Sequence, residues 1–284
     1  MEKINKFCNW FSKQLIIWVV FMVAAGYLFP GILIPMKSFS DWLFAFTMLG
    51  IGMVLSPDDF AGIYKKPVPV FLGSLAQFLI MPALGFIIGK LLRLEPNLAL
   101  GLIIAGAVPD AMAAGVISYL ADAAVAFSIS LTTLTTLVSP VATPAFTYYL
   151  GSAYIPVQFL PMFFSIIKIV ILPLLIGILI KKRFEKTINE FTPVFPAFST
   201  VFIGFICGLV TAINKNYLSQ LSPAIFIAVI LHNIFGLILG YFSGKLFGFD
   251  EKYCRTLSIG VGMQNAGLGA VLSIKHFSNE TAIP

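Results

Sequence analysis

The sequence predicts an all-α polytopic membrane protein, and three observations support that fold class. Of the 284 residues, 59% are hydrophobic and only 11% are charged, whereas soluble domains carry about 25% charged residues. The apolar residues form long continuous segments, each near the roughly 20 residues that an α-helix needs to cross the hydrocarbon core. Within these segments, apolar and polar residues do not alternate as they would in the strands of a transmembrane β-barrel.

Charged and turn-rich stretches divide the chain into nine apolar segments. Their predicted boundaries are 14–30, 39–55, 69–92, 98–121, 123–149, 156–180, 194–213, 223–247 and 255–274. The first segment lacks a small-residue cleavage site and is followed directly by further apolar segments. We therefore interpret it as a retained helix and not as a signal peptide.

The net charge of +6 is explained by membrane orientation. If the N-terminus is cytoplasmic, twelve Lys and Arg residues lie on the cytoplasmic side and five lie on the opposite side. That asymmetry follows the positive-inside rule. We therefore predict a multi-pass protein of the inner (cytoplasmic) membrane with a cytoplasmic N-terminus. Its partners would be the lipid bilayer and a small molecule, and not a nucleic acid.

The chain also shows signs of an inverted repeat. The basic stretch 181–190 separates a first repeat, residues 1–150, from a second, residues 151–284. Five segments precede this divide and four follow it, so equivalent helices would have opposite orientations. The fourth segment of each repeat, 98–121 and 255–274, is interrupted by proline or glycine. Such matched interruptions are typical of the binding site of a secondary transporter.

The two interruptions carry polar groups near the middle of the membrane. The first lies around Pro109, and the second combines Gly260 and Gly262 with the polar pair Gln264 and Asn265. Backbone groups that leave a helix inside lipid must find other partners, so these breaks require surrounding protein or a water-filled cavity.

Ionisable residues within membrane segments are candidates for function because they are expensive to place there. Asp110 would be an ion-binding or proton-binding carboxylate, or else a residue that faces water inside the break. Lys168 would neutralise an anionic substrate or extend its charge to the membrane surface. His232 beside Asn233 favours a hydrogen-bonding pair between helices over a proton relay.

Neutral oxygens are more abundant. Gln77 lies in the middle of the third segment, and hydroxyl groups crowd the fifth, with Ser128 and Thr132 one turn apart. Those hydroxyls are Ser128, Ser130, Thr132, Thr133, Thr135 and Thr136. Taken singly, such hydroxyls satisfy their own helix backbone. Gathered around two breaks, they predict a site for a hard cation such as sodium.

The chemistry predicted here is transport and not catalysis. The half-helices that follow the breaks present amide donors and a positive dipole end, which favour an anionic group such as a carboxylate. No Walker sequence indicates direct use of ATP. We predict no catalytic residues, no metal other than sodium, and no cofactor, with sodium acting as a coupling ion.

The chain resembles the bile acid:sodium symporter family over essentially its whole length. The resemblance rests on four segments in family order: SLAQFLIMPA, AGAVPDAMAAGVISYLA, SISLTTLTTLVSPVATPA and VGMQNAGL. The sequence around Pro109 is most similar to that of the bacterial branch associated with pantoate-type precursors. The resemblance implies ten helices in two inverted five-helix repeats. A panel domain would move against a core domain in which the two broken helices cross, and the tenth helix is absent from this chain.

The resemblance also implies site residues. Ser128 and Thr132 match one sodium site, whereas Gln77, Gln264 and the carbonyls of Val261 and Met263 match the other. Two further residues, Met112 and Asn265, match positions that face the substrate, and we also place Asp110 there.

This chain departs from the family pattern at the coupling residues. Ala114 and Gly115 replace a Ser-Asn pair that binds sodium, and Gly260 replaces a glutamate shared by both sodium sites. Asp110 stands where the family usually has glycine. It precedes Ala114 by four residues, which is about 6 Å along a helix, so the spacing does not predict that it reaches the vacated ligands.

Three functions fit these observations. The first is a secondary transporter that moves a small organic anion, pantoate-like or bile-acid-like, by alternating access. In this reading the family's sodium-coupling residues have been replaced. The second is a transport-deficient or sodium-independent binding protein or sensor with the same fold. The third is an engineered or truncated symporter.

Overall fold

The computed structural model describes residues 2–111, 113–192, 194–220 and 222–284, and these residues are almost entirely helical. In chain order, the α-helices are α1 Glu2–Lys13, α2 Leu15–Leu28, α3 Pro30–Leu33, α4 Ser40–Val54, α5 Pro57–Lys65, α6 Pro67–Leu91, α7 Pro96–Ala107, α8 Ala114–Leu120, α9 Val125–Phe146, α10 Phe159–Ile166, α11 Leu172–Arg183, α12 Glu185–Phe191, α13 Val194–Ile213, α14 Lys215–Leu218, α15 Pro223–Leu246, α16 Glu251–Gly262 and α17 Ala266–His276. Shorter 3₁₀ turns occupy Ile34–Phe39 and Asn279–Ala282, and π-turns occupy Thr147–Gly151 and Ile167–Ile171. The predicted all-α class is confirmed.

Six helical stretches in the described part of the chain are long and apolar enough to cross a membrane. They are Pro30–Val54, Pro67–Leu91, Val125–Gly151, Phe159–Arg183, Val194–Ile213 and Pro223–Leu246. A seventh is added if the bent pair Lys6–Ser12 and Leu15–Leu28 is counted as one span. The protein is therefore a polytopic helical membrane protein, as its composition predicts.

The remaining two predicted segments are the interrupted ones, and both breaks are present. Segment 98–121 is divided into α7 and α8, and segment 255–274 into α16 and α17. The second break differs in position from the prediction, because α16 continues through Gly260 and ends at Gly262. The same helix begins earlier than predicted, because the Asp250 side chain accepts a hydrogen bond from the Tyr253 amide at 2.9 Å and caps it.

Contacts between Cα atoms group the chain into two units, each built from two separate stretches. The first unit contains Met1–Ser56 and Ser165–Leu221, and the second contains Pro57–Phe164 and Ser222–Ala282. Each unit thus combines chain from both sides of the basic stretch. The division into inverted repeats at residues 1–150 and 151–284 stays a prediction.

Glycines allow close helix contact in the first unit. A Cβ atom on Gly26 of α2 would collide with the Gly208 carbonyl group of α13, and a Cβ atom on Gly52 of α4 would collide with the Leu174 carbonyl group of α11. A Cβ atom on Gly177 of α11 would meet α4 in the same way. Small residues at such crossings bring backbones together, which is the main source of helix association in lipid.

In the second unit, α6 and α9 pack with α16 around an apolar cluster beside the two breaks. Its buried members are Val70, Met81, Phe127, Leu131, Leu257 and Val261. These side chains exclude water from one side of the breaks, so the polar groups found there must satisfy one another.

Candidate functional site

The two breaks pair with each other through their backbones. Asp110 and Gln264 form an isolated antiparallel bridge. The Ala111 amide donates to the Met263 carbonyl at 2.7 Å, and the Asn265 amide donates to the Pro109 carbonyl at 2.9 Å. Each break therefore satisfies backbone groups that the other has freed, as a water-poor environment requires.

Side chains from neighbouring helices satisfy the carbonyl groups at the end of α7. The Thr143 hydroxyl of α9 donates to the Ala107 carbonyl at 2.8 Å. The Gln77 side-chain amide of α6 lies 3.4 Å from the Val108 carbonyl oxygen. The first break is thus held by two helices that are distant in sequence.

The second break is held in the same manner. Asn233 of α15 donates to the Gly262 carbonyl at 2.8 Å, and the Gln264 side chain donates to the Val261 carbonyl at 2.6 Å. Asn265 accepts a hydrogen bond from the Leu268 amide at 3.1 Å and so caps α17. This cap uses the Asn265 oxygen and does not involve its Nδ2 amide group.

Asp110 places a carboxyl group at the bridged breaks. Its side chain is buried, with 1% of the residue exposed. The Thr132 hydroxyl donates to Oδ2 and the Thr135 hydroxyl donates to Oδ1, both at 2.7 Å. Both threonines belong to α9, so α9 presents a pair of hydroxyl groups to the first break.

The glutamines form a second polar group at the same crossing. Gln77 donates to the Gln264 side-chain oxygen at 3.2 Å, which links α6 to the second break. The Oε1 atom of Gln77 is buried and has no hydrogen-bond partner, and the same holds for the hydroxyl of Ser128. These two oxygens are free to accept or to coordinate a ligand.

The predicted ligand positions therefore divide into three groups. Gln77, Thr132, Val261, Met263 and Gln264 contact the bridged breaks directly, and Ser128 lies one turn before Thr132 on α9. Ala114 is buried in a small apolar cluster with Ala123, Ile259 and Met263, and Gly115 has only Ile129 near its missing Cβ. Met112 lies outside the described residues.

Two other hydroxyl groups of α9 bond to their own helix. Ser130 donates to the Ala126 carbonyl and Thr133 to the Ile129 carbonyl, each at 2.8 Å. Ser130 and Thr133 therefore only satisfy the backbone of their own helix. By contrast, Thr132 and Thr135 donate hydrogen bonds to the Asp110 carboxylate in the first break. Thr135 is one of the hydroxyls predicted to gather at the breaks, and its spacing of three residues from Thr132 places both on one face.

His232 and Asn233 act as the predicted hydrogen-bonding pair between helices. The Nε2 atom of His232 lies 2.9 Å from the Met81 carbonyl oxygen of α6, while Asn233 bonds the end of α16. That prediction is confirmed. Lys168 is exposed and lies in the π-turn Ile167–Ile171, which belongs to the other unit.

Comparison with known proteins identifies the family. The sequence pattern of the Sodium Bile acid symporter family matches residues 42–221. The chain belongs to this family. Membership makes it a multi-pass membrane transporter and not an enzyme, in agreement with the prediction.

Relatives of this chain include a bacterial protein and proteins described as chloroplastic. A protein of Bacillus subtilis (strain 168) described as an uncharacterized sodium-dependent transporter, YocS, is 34% identical over 284 residues, which is all of this chain and 88% of that protein. The chloroplastic protein of Arabidopsis thaliana described as probable sodium/metabolite cotransporter BASS1 is 36% identical over 239 residues, 84% of this chain. The rice protein of the same description is 34% identical over 241 residues. The matched region spans about 60% of the length of these two plant relatives.

Gly260, where the family resemblance places a glutamate, lies beside Asp110. A Cβ atom built on Gly260 would lie 3.7 Å from Oδ2 of Asp110. The carboxylate of the first break therefore lies next to the position at which the resemblance places a glutamate in the second. The spacing along the chain did not predict this proximity, because Asp110 reaches across to α16 and not along its own helix to Ala114.

Proposed function

We propose that this chain is a secondary transporter that moves a small organic anion, coupled to a cation gradient, by alternating access. The observation that carries the proposal is the pairing of two broken helices around a buried carboxylate and unpartnered buried oxygens. A buried site that joins charge to polar groups at the midpoint of two spans is typical of substrate and ion binding in secondary transporters.

The substrate class is a carboxylate such as pantoate, with an amphipathic bile-acid-like anion as the larger alternative. The second break begins α17, whose first amides provide a positive dipole end, and the Nδ2 amide of Asn265 is a neutral donor beside them. The resemblance of the sequence around Pro109 to the bacterial branch supports a pantoate-like substrate. Relatives described as sodium/metabolite cotransporters support a small organic substrate.

Uptake into proteoliposomes tests this proposal. Purified chain is reconstituted, and accumulation of labelled pantoate is measured with an inward sodium gradient and with choline replacing sodium. We expect saturable uptake that depends on the gradient, and empty liposomes serve as the control. Pantoate uptake that is the same with and without the gradient contradicts coupling, and absence of any saturable uptake contradicts transport of this substrate.

A second candidate function is a binding protein or sensor that does not transport. Ala114, Gly115 and Gly260 favour it, because three expected ligand side chains are missing at these positions. Saturable binding of pantoate to detergent-solubilised protein, together with no gradient-driven uptake, would favour this candidate over the transporter.

We also propose that the protein lies in the cytoplasmic membrane with its N-terminus inside the cell. The distribution of Lys and Arg described above supports this orientation. Its test belongs to the whole molecule and is given in the Discussion.

A further inference from the structure

The Asp110 carboxylate lacks a partner of opposite charge. Among the residues that the structure describes, its side chain is bonded by the hydroxyls of Thr132 and Thr135 and by no Lys, Arg or His. An ionised carboxylate that is removed from water is costly unless a positive charge accompanies it. A bound cation, or a proton on the carboxyl group itself, would remove this cost.

The two threonines bond Asp110 in a way that leaves ligand capacity. A hydroxyl group has one proton to donate and two lone pairs to share. Because the Thr132 proton is directed at the carboxylate, the lone pairs of Thr132 Oγ1 stay available for a cation next to Asp110. The Thr135 hydroxyl bonds Asp110 Oδ1 at 2.7 Å and also lies 3.1 Å from the Thr132 carbonyl oxygen. Hydroxyl and carboxylate oxygens are the ligands that hard cations prefer.

Two further buried oxygens provide independent support. Ser128 Oγ is unpartnered and lies one helical turn, about 6 Å, before Thr132. Gln77 Oε1 is also unpartnered, and its amide group is held at the first break by the Val108 carbonyl, two residues before Asp110. Unsatisfied buried oxygens are rare in folded proteins, and a missing ion is one of their physical explanations.

Gly260 provides the room for this arrangement. Its missing Cβ would lie 3.7 Å from Asp110 Oδ2 and 2.8 Å from Leu131 Cδ2. A larger residue at position 260 would therefore compete for the space beside the carboxylate. The charge at the crossing is supplied from the first broken helix, and the second leaves space for it.

We propose that Asp110 is the charged ligand of a sodium site at the bridged breaks, completed by the hydroxyls of Thr132 and Ser128, while Thr135 orients the carboxylate. The inference rests on the proposed function and specifies its ion site. In place of the expected loss of sodium coupling, it assigns to Asp110 the negative charge that the family resemblance places at position 260. One carboxylate neutralises one monovalent cation, whichever of the two broken helices carries it.

Sodium binding without substrate tests the site. Unfolding of the purified chain in detergent is followed on heating while NaCl replaces choline chloride at constant ionic strength. We expect a saturable rise in the unfolding temperature, and we expect Asp110→Asn to weaken the apparent sodium affinity about a hundredfold or more. Asp122→Asn is the matched control. That carboxylate is exposed and pairs with Lys252 at 2.8 Å, which lowers its pKa, so its removal leaves the sodium titration unchanged.

A charge-transfer variant keeps the test decisive. Asp110→Asn combined with Gly260→Glu returns a carboxylate to the same space, and we expect it to recover sodium affinity that Asp110→Asn with Gly260→Ala does not recover. Both double variants place a Cβ atom against Leu131, so that contact is common to the two. The unfolding temperature in choline chloride verifies that each variant is folded.

The outcomes separate this inference from the proposed function. A sodium titration that Asp110→Asn leaves intact overturns the site, as does uptake by the unmodified chain that follows a proton gradient and ignores sodium. A sodium titration that depends on Asp110, found without pantoate uptake, supports the site and contradicts only the proposed substrate.

Discussion

Threonine hydroxyls on α9 serve two different purposes, and the difference is visible residue by residue. Thr132 and Thr135 bond the Asp110 carboxylate at 2.7 Å, whereas Thr133 bonds the carbonyl of Ile129, four residues earlier. The same chemical group therefore stabilises a charge in one case and only its own helix in the other. Replacing each by the isosteric valine separates the two roles.

We expect Thr132→Val and Thr135→Val each to lower the free energy of unfolding by about 1–3 kcal/mol, because each leaves a buried carboxylate oxygen without its donor. Thr133→Val, the matched control from the same helix, should cause a smaller change, because the Ile129 carbonyl keeps its helical backbone bond. Denaturant unfolding in detergent measures these differences. An effect of Thr133→Val as large as that of its neighbours contradicts this account.

For single residues, the sequence predicts which residue types form the candidate site, but it does not predict that Asp110 lies beside Gly260 of α16. The spacing of Thr132 and Thr135 predicts a shared helix face, and burial cost marks Asp110 as a functional candidate. Neither observation predicts which element Asp110 faces, because helical periodicity does not determine the direction of the backbone inside a break. The bridge to Gln264 determines that direction, and it joins residues distant in sequence.

Helix pairs in the first unit depend on backbone contact at glycine. Gly52 and Gly177 lie at the crossing of α4 and α11, where an added Cβ atom on either would collide with the backbone of the other helix. Gly31 in α3 has nothing within 4 Å of its missing Cβ. The three positions thus offer a comparison between a crowded and an open glycine in helical backbone.

We expect Gly52→Ala and Gly177→Ala each to destabilise the protein by about 1–3 kcal/mol, because the helices must separate to admit a methyl group. Gly31→Ala should be neutral or slightly stabilising, since alanine favours helix over glycine by up to about 1 kcal/mol. Thermal unfolding in one detergent compares all three. Equal behaviour at the three positions would show that close approach is not what these glycines provide.

At the level of elements, long apolar runs are predicted well and short polar helices are not. Segment 194–213 matches α13 at both ends. By contrast, the sequence does not predict α1, α5 or α12, because these helices are short or rich in charge and lack an apolar run of membrane length. The basic stretch around α12 was interpreted only as a divide.

For the molecule as a whole, orientation in the membrane is the property with the simplest test. The predicted cytoplasmic N-terminus places Lys186 inside the cell and Asn216 outside, and both residues are exposed. After replacing Cys8, Cys207 and Cys254 by alanine, Lys186→Cys and Asn216→Cys each provide one thiol for a membrane-impermeant maleimide.

In intact spheroplasts we expect labelling of Asn216→Cys only, and labelling of Lys186→Cys after permeabilisation. The physical reason is the excess of Lys and Arg on the cytoplasmic side. Labelling with the two positions exchanged would reverse the orientation and the direction of every span.

The backbone bridge between the two breaks has a consequence for how such a protein can change over evolution. Its two hydrogen bonds use main-chain atoms of Pro109, Ala111, Met263 and Asn265, so these two bonds do not depend on the side chains at those positions. The backbone bridge and the side chains that face the ion can therefore change independently during evolution. A lineage can exchange the residues that face the ion, even the helix from which the charge comes, without dismantling the crossing that displays them.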